Sequence, residues 1–243
     1  MRSTRGRTSA RALLASAGVN VRATERGDHL KRLTWWSILV ACLIALEYAA
    51  RLAGGAPDRN VLYRYSTAVS SAIVYLFLLL IVLAIAGWRR ELLALRRPRS
   101  WPRAAGLMVL LLIGVYVVIA IIDPLLHGSR EQGLTPTHWE PSHAGAYAAN
   151  FVVIACVAPI VEELTFRGLG FSLLVQFGAW PAILIVGITF ALAHGLVQAF
   201  PELALFGCAL AWLRFKTTSV YPGMALHGTF NAIALVAAAT VHH

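Results

Sequence analysis

The side chains of greatest chemical interest lie inside apolar stretches of the C-terminal part of the sequence. They are Glu162, Glu163, Arg167, His194, His227 and Asn231. An ionisable side chain at the centre of a bilayer costs roughly 2.5–3.5 kcal/mol even on lenient insertion scales. Because five of these residues are ionisable and they occur in three of the last four apolar segments, the pattern predicts a functional site.

These residue types suit hydrolysis by an activated water molecule. A carboxylate in a water-poor pocket can take a proton from water and return it to a leaving group. An imidazole can hold the same water, while a second imidazole and an amide NH2 can donate to the oxyanion that forms when a carbonyl is attacked. The sequence has neither the GxSxG motif of a serine nucleophile nor the HExxH motif of a zinc protease, which favours direct attack by water.

Helical spacing assigns these side chains to helix faces. Glu163 and Arg167 are four residues apart, which predicts an ion pair on one face. Glu162 is turned about 100° away from Glu163, so its carboxylate can face another helix. His227 and Asn231 are also four residues apart and present two hydrogen-bonding groups on one face of the last apolar segment.

The rise per residue of a helix predicts that Glu162 and His194 lie at the same depth in the membrane. Glu162 lies 16 residues before Gly178, where the sequence predicts a turn, and His194 lies 16 residues after it. At 1.5 Å per residue each side chain is ~24 Å from that turn, so the two are level. Phe190 precedes His194 by four residues, and its ring can shield the imidazole from lipid.

The elements that carry these residues are predicted to be membrane spans. Of the 243 residues 58% are hydrophobic and 13% are charged, which is more apolar surface than a soluble domain of this length can bury. A span needs about 20 apolar residues to cross a hydrocarbon core of ~30 Å. The sequence predicts an all-α transmembrane bundle of about seven spans, within a range of six to eight: 33–53, 66–88, 104–126, 144–176, 180–197, 201–213 and 219–240. We expect a kink in the long fourth span.

Basic residues set the predicted orientation and account for the net charge of +10. They cluster before the first span and between the second and third, as they do on the cytoplasmic flanks of membrane spans. The charge therefore indicates a lipid surface and not nucleic acid, and we expect a cytoplasmic N-terminus in a bacterial inner (plasma) membrane. Arg51, Arg59 and Arg64 depart from this pattern, since they fall in the first loop, on the predicted outer side.

Three regions follow from these patterns. Residues 1–32 are predicted to be a basic, disordered cytoplasmic tail, and residues 33–143 to be the N-terminal transmembrane helices. Residues 144–243 are predicted to be the catalytic transmembrane core, because the candidate residues fall there.

The three clusters together resemble a known set of motifs. Residues 162–167 read EELTFR and match EExxxR, residues 190–194 read FALAH and match FxxxH, and residues 227–231 read HGTFN and match HxxxN. In this order on separate helices, they resemble the CPBP family. That family includes the type II CAAX prenyl endopeptidases and their bacterial Abi-type relatives. The resemblance covers roughly residues 144–240.

The resemblance implies an intramembrane endopeptidase that acts on a membrane-associated protein or peptide. Glu162 and His194 match the positions that activate the hydrolytic water, and His227 and Asn231 match those that stabilise the oxyanion. The supporting residues are Glu163, Arg167 and Phe190. Family members have been described both as metal-independent glutamic proteases and as metalloproteases. The metal-free interpretation is favoured because asparagine is a poor zinc ligand, and zinc held by Glu162, His194 and His227 is the alternative.

Two other functions fit parts of the pattern. A non-catalytic membrane scaffold or bacteriocin-immunity protein could use the same fold, although it would not need Glu162 or His194. A small transporter could use the buried acid and imidazoles as a proton relay, although the sequence lacks an inverted repeat of motifs. The depth estimate puts the site nearer the outer side, whereas the resemblance to cytosol-facing enzymes implies the inner side.

Overall fold

The computed structural model describes residues 5–54, 58, 60–131 and 139–240 of the chain. Within these residues the chain is helical and has no strand. The helices are α1 (Arg5–Ala53), α2 (Tyr65–Ala86), α3 (Trp101–Leu126), α4 (Gly128–Glu131), α5 (Pro141–Phe177), α6 (Ala179–Leu192), α7 (Phe200–Thr217) and α8 (Tyr221–Thr240), with a 3-10 turn at Val61–Tyr63 between α1 and α2.

The long helices have the length and composition of membrane spans. Among the described residues, α1 from Glu25 onward, α2, α3, α5 and α8 can each cross a bilayer, and α6 is a shorter apolar helix. With α7 these make seven, so the predicted all-α membrane bundle is confirmed. Large apolar side chains such as Phe77 and Ile113 face outward, as they do on lipid-facing helices.

The first helix is longer than the first predicted span. It begins at Arg5, so residues 5–32, which we predicted to be a disordered tail, continue the helix of the first span. Two neighbouring tryptophans show how α1 packs: Trp36 is 3% exposed and faces the bundle, whereas Trp35 is 61% exposed and faces outward.

The fourth span, α5, is not a regular α-helix. It alternates between α-helical and wider π-helical turns, in which a backbone N–H bonds to the carbonyl five residues earlier. Its parts are Pro141–His143 (3-10), Ala144–Val152 (α), Val153–Val157 (π), Ala158–Glu163 (α), Leu164–Gly170 (π), Phe171–Leu174 (α) and Val175–Phe177 (3-10). The fourth span, in which we expected a kink, contains two π-helical segments, and the second begins directly after Glu163.

One end of the bundle gathers several basic segments. The Val220 N–H donates to Ala94 O, and Arg96 Nε donates to Thr218 O 2.6 Å away, so the loop after α2 lies against the turn between α7 and α8. A His29 ring nitrogen lies 3.0 Å from Leu173 O, which brings the middle of α1 to the end of α5. The segments predicted to be cytoplasmic thus lie together.

The opposite end of the bundle pairs two of the arginines that depart from the charge pattern. Arg51 at the end of α1 forms an ion pair with Glu131 of α4. Arg64 lies 2.6 Å from Asp58. The third, Arg59, lies outside the described residues. Because Arg51 and Arg64 each have an acidic partner, they add less net positive charge to this end than their number suggests.

Helices α6 and α7 form a very close contact through two glycines. A methyl group at Gly187 would lie 2.7 Å from the Cys208 backbone nitrogen, and one at Gly207 would lie 2.7 Å from Gly187 O. Small residues allow membrane helices to approach this closely. The contact fixes the position of Gly207 O, which the candidate site uses.

Candidate active site

Glu162 has its two carboxylate oxygens in different surroundings. It lies on α5, just before the second π-helical segment. The Tyr75 hydroxyl of α2 donates to Glu162 Oε1 across 2.7 Å. Glu162 Oε2 is 3.7 Å from His227 Nε2, which is longer than a direct hydrogen bond. One oxygen is therefore held, and the other faces an imidazole across a gap that a water molecule could bridge.

Glu163 and Arg167 form the ion pair that their spacing predicts, with Arg167 Nη1 3.0 Å from Glu163 Oε1. Both side chains are fully buried. Arg167 Nη2 also donates to Gly207 O across 2.9 Å, and the guanidinium lies 4.2 Å above the centre of the Phe190 ring. The pair thus ties α5 to both α6 and α7.

The His227 ring of α8 lies between the two glutamates. Its Nδ1 is 3.3 Å from Glu163 Oε1, while its Nε2 faces Glu162 Oε2. The rings of Phe190 and Phe206 pack against the imidazole in T-shaped contacts, with centroid distances of 5.6 and 5.3 Å. These contacts leave the imidazole 3% exposed, so its orientation is set on every side by α5, α6 and α7.

His194 lies outside the helix in which we expected it. The fifth span was predicted to run to Val197, but α6 ends at Leu192 and His194 follows in a turn that includes Gly195 with φ of +65°. His194 Nδ1 is 2.8 Å from Phe190 O. Because a carbonyl oxygen only accepts, Nδ1 is the donor in this contact, and Nε2 is the ring nitrogen that faces away from Phe190 O.

Asn231 meets α5 at the first π-helical segment. Its Nδ2 donates to Ile154 O across 2.9 Å. The close approach is helped by Gly228, where a methyl group would lie 2.6 Å from Ala155 O. An amide nitrogen carries two hydrogens, so one remains for another acceptor. Asn231 is partly exposed, which is suitable for contact with a substrate.

The structure brings most of the predicted residues into one contact network. Glu162, Glu163 and Arg167 join His227 directly, and the Phe190 ring packs against both imidazoles, 4.6 Å from His194 and 5.6 Å from His227. His194 therefore joins the network through Phe190. Asn231 stands one helical turn beyond His227 and contacts α5 at Ile154.

The zinc alternative requires three donors grouped around one point. Among the side chains that the structure describes, no group of three or more histidine, cysteine, aspartate or glutamate residues is arranged to hold a metal ion. Glu162, His194 and His227 do not form such a group there.

Sequence reasoning missed two residues that contact this region from the N-terminal helices. Tyr75 bonds to Glu162, and Trp36 Nε1 donates to Thr165 O across 2.9 Å inside the second π-helical segment. Tyr75 had a detectable signal, because it is the one polar residue in the apolar run 72–86. A phenol there needs a hydrogen-bond partner.

The comparisons with known proteins agree with the resemblance seen in the motifs. Residues 144–233 match the family model described as type II CAAX prenyl endopeptidase Rce1-like. The matched region contains all seven candidate residues and none of α1, α2 or α3. Searches among curated proteins and among solved structures gave no match.

Proposed function

We infer that this integral membrane protein is an endopeptidase, because residues 144–233 match the family model described as type II CAAX prenyl endopeptidase Rce1-like. Its proposed substrate is a membrane-associated protein or peptide, cut by water at a site within the bundle. The observation that carries the proposal is the Glu162 carboxylate, with Oε1 held by Tyr75 and Oε2 facing His227 across 3.7 Å.

In the proposed first step, Glu162 acts as the general base. Water between Glu162 Oε2 and the substrate gives one proton to the carboxylate, while its oxygen forms a bond to the carbonyl carbon of the scissile peptide. We assign the other hydrogen of this water to His194 Nε2, the ring nitrogen that does not contact Phe190 O. The carbonyl π bond breaks in this step, and the electron pair moves onto the carbonyl oxygen.

The resulting oxyanion needs donors at fixed positions. We assign this role to His227 and to the second amide hydrogen of Asn231. Both stand on α8, and their contacts with α5 hold them in place. In the second step, the electron pair on the oxyanion re-forms the carbonyl π bond and the C–N bond breaks. Protonated Glu162 gives its proton to the leaving amine nitrogen, which restores the starting carboxylate.

Glu163 and Arg167 are proposed to support the site without touching the substrate. Their buried pair holds α5 against Gly207 of α7 and places Glu163 Oε1 beside the His227 ring. This mechanism needs no metal ion.

The proposed location is a bacterial inner membrane with the N-terminus in the cytoplasm. Support comes from the basic segments, because the part of α1 around His29, the loop after α2 and the α7–α8 turn lie at one end of the bundle. Their arginines would face the anionic cytoplasmic leaflet.

The test is the substitution Glu162→Gln in the purified, detergent-solubilised full chain. Wild type and variant are compared for cleavage of a peptide library that includes both prenylated CAAX peptides and unmodified peptides. We expect kcat/KM of the variant to fall by about 10²–10⁴-fold, because glutamine cannot accept the proton. Both proteins are also assayed with and without a chelator, which tests the metal-free mechanism.

Glu91→Gln is the matched control, since Glu91 is an exposed loop residue and loses its charge in the same way. Its activity should equal that of wild type. If a correctly folded Glu162→Gln protein cleaves as fast as wild type, the endopeptidase mechanism is wrong. A cellular phenotype that survives Glu162→Gln would favour the scaffold or immunity function.

A further inference from the structure

We propose that Tyr75 is a positioning residue for this hydrolysis, holding the Glu162 carboxylate so that Oε2 faces the attacking water. This rests on the proposed function. The residue belongs to α2, outside the region that matches the family, so an N-terminal span would complete the catalytic site.

The placement of Tyr75 in α2 supports a specific role. The helix runs from Tyr65 to Ala86, which puts Tyr75 near its middle. The preceding and following side chains, Val74 and Leu76, are 61% and 57% exposed and face outward. Tyr75 instead turns inward, is partly buried and packs against the core. A phenol at mid-span therefore points at the one helix that carries the candidate base.

The hydrogen bond supplies an orientation that α5 alone does not. A glutamate side chain has three rotatable bonds, and its carboxylate turns freely unless it is held. The Tyr75 hydroxyl donates to Oε1 across 2.7 Å. The His227 ring lies on the side of Oε2. With Oε1 occupied, Oε2 is the oxygen that takes the proton from water.

Catalytic geometry is sensitive to such orientation, since a displacement of ~1 Å can cost about 100-fold in rate. In Tyr75→Phe the ring remains and the hydroxyl is lost. We expect kcat to fall about 10–100-fold while KM changes less than about 2-fold, because the group that binds substrate is untouched. Steady-state kinetics on a library peptide that wild type cleaves measure both constants.

Tyr147→Phe is the matched control. The Tyr147 hydroxyl also donates across 2.7 Å, but its acceptor is Leu235 O, in a separate apolar cluster. Both variants lose one hydroxyl that donates over the same distance. Tyr147→Phe should keep the wild-type kcat, so a fall confined to Tyr75→Phe cannot come from the general loss of a hydrogen bond.

A second measurement tests the contact without any substrate. Unfolding midpoints are compared for wild type, Tyr75→Phe, Glu162→Gln and the double variant. If the two side chains interact, the shift in unfolding midpoint of the double variant differs from the sum of the shifts of the two single variants. Purely additive shifts would overturn the contact, and with it the proposal.

The kinetic outcomes separate the two hypotheses. If Glu162→Gln is silent and Tyr75→Phe keeps the wild-type kcat, Tyr75 does not position the base, although the endopeptidase mechanism stands. Equal losses in Tyr75→Phe and Tyr147→Phe would also overturn the positioning role. Full activity of Glu162→Gln would instead refute the proposed function itself.

Discussion

Helices α2 and α3 in the N-terminal part of the chain and helices α5 to α7 in the C-terminal part use their apolar residues differently. In the most apolar stretch of α5, 44% of the residues are buried within the protein, against 17% in α2 and 6% in α3. A methyl group added at Gly106 or Gly114 of α3 would meet no atom within 4 Å, whereas Gly187 and Gly207 of α6 and α7 are in tight contact.

This difference shows where the bilayer ends and the protein interior begins. Helices α2 and α3 expose most of their apolar side chains, as helices that face lipid do. Helix α5 meets other helices, and its interior holds Glu163, Arg167 and two π-helical segments. Buried polar groups there need partners. Two of these come from the N-terminal helices, through Tyr75 and Trp36, so the lipid-facing region is also part of the support of the site.

The largest effect that we expect from a test of this comparison is a loss of stability when a tightly packed glycine is replaced. In Gly187→Ala the new methyl group collides with the Cys208 backbone, and we expect a loss of about 1–3 kcal/mol in the free energy of unfolding. Gly114→Ala in α3 makes the same change in open space and should leave stability unchanged or slightly raised. Thermal unfolding in one detergent measures both. Equal losses would mean that α3 and α6 are not packed as described.

A smaller effect is expected at the contact of α1 with the π-helical segment. Trp36→Phe removes the donor to Thr165 O and should lower stability by about 1–2 kcal/mol, because a buried carbonyl loses its partner. Trp35→Phe is the neighbouring control, since Trp35 is exposed and faces lipid. The same unfolding assay compares the two. Indistinguishable midpoints would contradict the role given to α1.

The smallest effect concerns the loop that follows His194. Glu131 accepts from the N–H groups of Val197, Gln198 and Ala199, at 3.0, 2.7 and 2.9 Å. Burial alone would raise its pKa, but these donors and the Arg51 guanidinium outweigh burial and lower the pKa of Glu131 below its ordinary value of 4.5.

A depressed folded-state pKa means that the contribution of Glu131 to stability is fully present above pH 4.5 and is lost as the pH falls through the lower folded value. Glu131→Gln should therefore cost about 1 kcal/mol near neutral pH, with little further loss on acidification from this position. Unfolding midpoints of both proteins between neutral and acidic pH test this. Parallel profiles for wild type and variant would show that Glu131 does not clamp the loop.

Much of the fold and part of the candidate site could be predicted from the sequence. The spans follow from hydropathy, and the Glu163–Arg167 pair follows from a spacing of four residues, which is a local property of a helix. The ends of the helices could not be predicted where they depend on contacts with other helices. The predicted fifth span ran past His194, but α6 ends at Leu192, where the chain turns at Gly195 against α1.

The sequence by itself determined the class of the protein, the order of its motifs and the side chains that share a helix face. Only the tertiary structure decided which side chains meet between helices: Tyr75 with Glu162, His227 with both glutamates, and Arg167 with Gly207. The physical reason is the distance along the chain over which each effect acts. Hydropathy and helical period act over a few residues, whereas these contacts join residues 40 to 87 positions apart and depend on how closely glycines let the helices approach.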